Sequence, residues 1–91
     1  MLSIPSQCTS YKQTPVFTEN TVPQGLLKAH KTKAGTWGKI VVLEGQLEYR
    51  ILEPRLETHV LDPHNPGVVE PEILHEVEPR GAVKFFVDFH K

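Results

Sequence analysis

Ninety-one residues make one domain and exclude two, since either half of a divided chain would fall below the size at which a hydrophobic core suffices. Apolar side chains form 38% of the chain, enough to expect folding rather than disorder. Ten Lys and Arg against eleven Asp and Glu leave a formal charge of −1, so no basic field gathers phosphates and nucleic acid is not an expected partner.

The chain starts without the cationic segment and apolar run of a secretory signal, and nowhere do about 18 apolar residues follow one another. Neither export nor a membrane span is expected. Cys8 is the single cysteine, which excludes an internal disulfide and a cysteine-bound zinc; a reducing cytoplasm is the expected location. Eight prolines and six glycines then divide the chain into pieces too short for a helix of about 11 residues. Between these breakers Val, Ile, Thr, Phe and Tyr recur, so an all-β domain is predicted.

Residues 1–24 carry Pro5, Pro15 and Pro23 among polar side chains and read as an extended lead-in, with one edge strand at Val16 and Phe17. From Gly25 the pattern turns regular, and strands are predicted over residues 26–33, 37–44, 47–53 and 57–61, each of the first three ended by Gly or Pro. Asp62, Pro63, His64, Asn65, Pro66 and Gly67 form a turn signal, and residues 68–70, 73–77 and 83–90 complete seven or eight short strands, the count of a sandwich or barrel. Alternation assigns faces: Leu47, Tyr49 and Ile51 point inward with Glu48 and Arg50 outward. Likewise Ile73, His75 and Val77 point in, as do Val83, Phe85, Val87 and Phe89, with Asp88 outward and solvated. His75 thus lies on an apolar inward face. Trp37 and Val41 fall on the face opposite Ile40 and Val42; with the exposed edges of a small sheet, this predicts a homodimer.

No GxSxG elbow, GxGxxG loop, Walker loop or HExxH pair is present, so no catalytic residues are assigned. The run from Leu26 to Lys39, with Val42-Leu43-Glu44-Gly45 and with Val69-Glu70-Pro71-Glu72 leading to His75 and Val77, resembles the small cupin-like domain of tellurite-resistance proteins of the TehB type. The resemblance runs from about Thr14 to His90. It implies a double-stranded β-helix, the jelly-roll barrel of cupins. In that family the domain stands alone or ahead of a methyltransferase that uses S-adenosylmethionine; the residues matched here belong to the small domain, so neither that cofactor nor methyl transfer is expected.

Cupins hold a metal inside the barrel with a His-x-His pair, a Glu and a later His. The resemblance puts His30 at the first position and His75 at the last, with Thr32 at the second His, Gly38 near the Glu and Gly45 as the closing glycine. Glu70 and Glu72, a few residues before His75, are the candidate carboxylates for a divalent zinc, iron or nickel ion. Thr32 and Tyr49 are the candidate hydroxyl donors to a small oxyanion. A zinc bound by both imidazoles requires their nitrogens to lie within about 5 Å. His59, His64 and His90 read as surface or turn residues, Trp37 as packing and Cys8 as inert.

Three functions follow as expectations. The first is a binding module holding a divalent metal or small oxyanion in the pocket of His30, Thr32, Tyr49 and His75, with a link to oxyanion stress. The second is a small metal-dependent enzyme, against which the absent ligands count. The third is a structural or oligomerisation domain with a vestigial pocket.

Overall fold

Two long antiparallel strands organise the molecule, and the computed structural model describes residues 3–91 of it. In chain order the elements are β1 (Ser10–Gln13), β2 (Phe17–Thr18), a single helical turn α1 (Gln24–Leu27), β3 (Trp37–Ile51), β4 (Glu57–Leu61), β5 (Gly67–Val69) and β6 (His75–His90). They form one six-stranded sheet in the order β1-β6-β3-β4, with β2 also paired to β6 and β5 also paired to β3. Every pairing is antiparallel. The domain is all-β, as the composition indicated.

The strand count differs from the expected seven or eight because two pairs of predicted strands are each one continuous strand. Gly45 does not end the strand that contains it. At φ 79° it forms part of a bulge, and β3 continues through it from Trp37 to Ile51. Pro79 and Gly81 likewise lie inside β6, where Gln46 pairs with Arg80 and Gly45 with Val83, so that Gly81 and Ala82 are looped out. Proline is tolerated there because β6 meets no second strand until Lys84 and Phe85 pair with β2.

The predicted strand over residues 26–33 is also corrected. Pro23 presets the backbone ahead of Gln24, the Leu26 amide bonds back to the Pro23 carbonyl, and the segment closes one turn of helix before running extended. Only His30 makes a ladder contact, as an isolated bridge to His75. The lead-in holds two edge strands rather than one, with Phe17 opposite Phe85 and Gln13 opposite Asp88.

Inward faces follow the alternation. Ile40, Val42, Leu47, Tyr49, Ile51, Leu61, Val69, Val77, Val83, Phe85 and Val87 form one buried cluster, and Phe17, Val22, Leu26, Ile73 and Phe89 pack against it. Phe85 is fully buried with Phe17 edge-on at 5.7 Å, so truncating it to Ala would cost about 3–5 kcal/mol. On the outward face Arg50 pairs with Glu76 and Glu48, and Arg80 with Glu48. Arg80 first and Arg50 second hold the Glu48 carboxyl below its usual range. Asp88 is not a free solvated side chain: it accepts from the Ser10 hydroxyl and sits 3.2 Å from His90 Nε2. Among the described residues no helix is long and apolar enough to cross a membrane.

Candidate functional site

His30 and His75 are brought together by their own backbones. Each amide donates to the other's carbonyl at 2.9 Å, a closed two-bond pair that fixes both Cα atoms across from one another. Their rings follow, with centroids 4.0 Å apart and planes at 57°. In each residue Nδ1 lies 2.8 Å from the carbonyl two positions earlier, Lys28 for His30 and Ile73 for His75. A carbonyl only accepts, so both rings carry a proton on Nδ1. His75 is 3% exposed, and burial above all, aided by the neighbouring His30, pushes its pKa down to about 4 despite the Ile73 carbonyl. It is neutral at physiological pH.

Both imidazoles line a cavity of about 480 Å³. Its walls are mostly apolar, from Phe17, Leu26, Ile40, Val69, Val77, Phe85, Val87 and Phe89. Thr14, Thr32 and Thr36 add hydroxyls, and Lys12, Lys31 and Lys33, all exposed, stand at its mouth. No Asp or Glu is among the lining residues. Gly38 contributes bare backbone to the wall, where a Cβ would stand 3.3 Å from Val69 Cβ.

The remaining predicted site residues scatter. Thr32 does line the cavity, but its hydroxyl proton goes to the Thr36 carbonyl at 2.9 Å, leaving it only lone pairs to offer. Tyr49 is fully buried outside the cavity lining; its hydroxyl donates to the Val68 carbonyl at 3.0 Å, and burial first, then Glu70 and Glu57, raises its pKa well above the usual value. Glu70 is half-buried, and its charge acts on Tyr49. Glu72 is exposed with a left-handed backbone, φ 62°, its amide bonded to the Thr32 carbonyl. Neither carboxylate lines the cavity with the histidines.

The cupin ligand set can be tested against these donors. Two imidazoles are at hand, each with Nδ1 on a carbonyl, the usual support of a metal-bound histidine. Thr32 and Gly38 supply nothing at the other two positions, and among the described residues no three His, Cys, Asp or Glu side chains gather as a metal site. The full four-ligand centre does not fit this chain.

Reading the residues alone missed the lysines. Lys31 and Lys33 flank Thr32 in sequence, and alternation put them on the side away from it. Lys12 joins them from the lead-in only because β1 pairs with the end of β6.

A family model described as the TehB-like domain matches residues 12–87. The chain belongs to the TehB-like family. A curated relative from Haemophilus influenzae, named probable S-adenosyl-L-methionine-dependent methyltransferase TehB, is 42% identical over 73 residues, covering 75% of this chain and 25% of its own length. A second strain of that species carries a relative at 41% identity with the same coverage. The chain thus spans about a quarter of the length of the curated relatives it matches. The crystal structure of TehB from Haemophilus influenzae superposes with a TM-score of 0.87 at 33% identity, over 93% of this chain and 32% of that one. A crystal structure of an Escherichia coli K12 protein, at 23% identity, matches the fold with a TM-score of 0.91 over 100% of this chain and 97% of its own.

Proposed function

We propose that this TehB-like domain is a binding module that holds a small anion in the cavity over His30 and His75, with the curved sheet acting as a cupin-like barrel. One observation carries the reading: three lysines stand at the mouth and no carboxylate lines the cavity among the described residues. Such a lining repels cations and attracts anions over the range of a Debye length, about 8–10 Å. The barrel reading is supported by the way β3 and β6 each change neighbours along their length, β3 from β5 to β4 and β6 from β2 to β1. Tellurite and selenite belong in the test because the family resemblance is to tellurite resistance.

The test is calorimetric titration with a panel of small anions, inorganic and carboxylic. Saturable binding by at least one, weakened by salt and by joint Lys31→Gln and Lys33→Gln substitution, is expected. Flat titrations with the whole panel would overturn it.

A second reading, a divalent metal held by two histidines and water, is favoured by the two imidazoles that line the cavity with ring centroids 4.0 Å apart. Elemental analysis of protein purified without a histidine tag decides it; about one metal per chain, removed by chelation without unfolding, is the expected result for that reading.

A further inference from the structure

Resting on the anion reading, we infer that the occupant is an organic anion with an apolar body, and not a bare inorganic oxyanion. Its charge is held among the lysines and its body against the core side chains that wall the cavity. Room, wall and rim each define one part of such a molecule.

A cavity of about 480 Å³ lies within the range of pockets that enclose small organic ligands, and a single oxyanion would leave most of it to water. The wall is the hydrophobic core itself. Ile40, Val69, Val77, Phe85 and Val87 all line the cavity, and none of them is more than 8% exposed. Phe17 meets Phe85 edge-on from β2, and Leu26 joins the lining from α1.

An inorganic oxyanion brings a hydration shell that only hydrogen-bond donors can replace. Two hydroxyls of the lining are committed elsewhere. Thr14 Oγ1 accepts from the Val87 amide at 3.0 Å and donates to the Pro15 carbonyl at 2.9 Å, and Thr32 donates to the Thr36 carbonyl at 2.9 Å. Hydrocarbon gives up no hydrogen bond against such a wall and gains by leaving water.

The rim carries the charge. Lys12, Lys31 and Lys33 are exposed residues of the lining, and their stems can lie along apolar surface while the ammonium groups stay in water. Tyr11, also in the lining, has Lys91 Nζ 4.3 Å from its ring centroid, which adds a fourth cation. Among the described residues no carboxylate lines the cavity to oppose them. An anionic head at this rim keeps part of its hydration, which a charge set among Phe85 and Val87 would forfeit.

The straight-chain acids acetate, butanoate, hexanoate and octanoate test this by calorimetric titration of the unmodified chain, beside methyl hexanoate, tellurite and selenite. A chelator is present throughout, so that a carboxylate bound as a metal ligand is not counted. Affinity should rise about tenfold for every two methylenes added. Hexanoate should bind about tenfold or more tighter than its methyl ester. Joint Lys31→Gln and Lys33→Gln substitution should shrink the advantage of acid over ester and leave the gain per methylene. Leu26→Gln, at a half-buried position, should do the reverse. If Leu26→Gln does not fold, the acid series on the unmodified chain decides alone. Affinity independent of chain length overturns the inference, as does binding of tellurite or selenite without binding of the acids; both outcomes leave the anion reading standing. An ester that binds as tightly as its acid overturns the inference too, and takes the anion reading with it where the oxyanions also fail. Failure of every anion overturns both.

Discussion

Gly45 approaches Ala82 so closely that a Cβ on the glycine would stand 2.1 Å from the Ala82 carbonyl oxygen. The contact is backbone on backbone, at the bulge where the two long strands slip register, and Gly45 holds φ 79° there. Gly81, on the facing side of the same irregularity, has φ 74° but open space around its missing Cβ. The pair separates two costs. Gly81→Ala should lose only the left-handed backbone penalty, about 1–2 kcal/mol. Gly45→Ala should lose more, about 3 kcal/mol or above, because the ladder itself must part. Urea unfolding of the two variants checks the order; equal losses would mean that β3 and β6 are not held together at that point.

His75 makes stability depend on pH. Its pKa falls from the ordinary 6.5 to about 4 in the folded chain, so between those values the unfolded chain binds more protons than the folded one. Stability is therefore full above about pH 6.5 and declines as pH falls toward 4. A tenfold weaker proton affinity is worth about 1.4 kcal/mol, which makes the decline from this residue about 3 kcal/mol at most. Denaturation midpoints between pH 7 and 5 read it directly. His75→Gln, which cannot titrate, should flatten the profile in that window; an unchanged slope in the variant would remove His75 as its source.

Tyr49→Phe should cost about 1 kcal/mol, the ordinary net contribution of a hydrogen bond, by removing the bond to the Val68 carbonyl from a fully buried position. The ring itself stays, edge-on to His75 at 5.8 Å, so the core keeps its volume. Because Tyr49 does not line the cavity, anion binding should be unchanged within about twofold. Thermal melts paired with titrations separate the two effects, and a large loss of binding would place the tyrosine in the site after all.

The chain should give a flat calorimetric trace with S-adenosylmethionine. It matches 25% of the length of the methyltransferase relatives and carries no glycine-rich nucleotide loop. Binding tighter than about 1 mM would contradict this expectation.

At micromolar concentration the chain is expected to sediment as a dimer of its 10.3 kDa unit. Trp37, Val41 and Phe86 lie half-buried and Leu43 exposed on the outward side of β3 and β6, an apolar strip that a second copy would cover. A monomer across the accessible concentration range would refute it, and Trp37→Arg should dissociate a dimer built on that strip.

Face assignment was legible in the chain itself. Leu47, Tyr49 and Ile51, then His75 and Val77, then Val83, Phe85 and Val87 are buried as alternation requires, because a strand turns successive side chains to opposite sides whatever it pairs with. The pairing of His30 with His75 came from the family resemblance and not from spacing, and 45 positions of chain separate the two residues that one bridge joins.

What the residues determined by themselves was the strand-rich class and the inward face, with His75 on it. Tertiary structure decided the rest. Gly45 reads as a terminator until Ala82 is set against it, since a glycine that ends a strand and one that forms a bulge differ only in their neighbour. Tyr49 reads as a pocket hydroxyl until Val68 takes its proton. Lys12 reads as part of a tail until β1 pairs beside Phe89 and brings it to the mouth where Lys31 and Lys33 stand. Alternation is a property of one strand's backbone, whereas a cavity and its charge depend on which distant segments fold against each other.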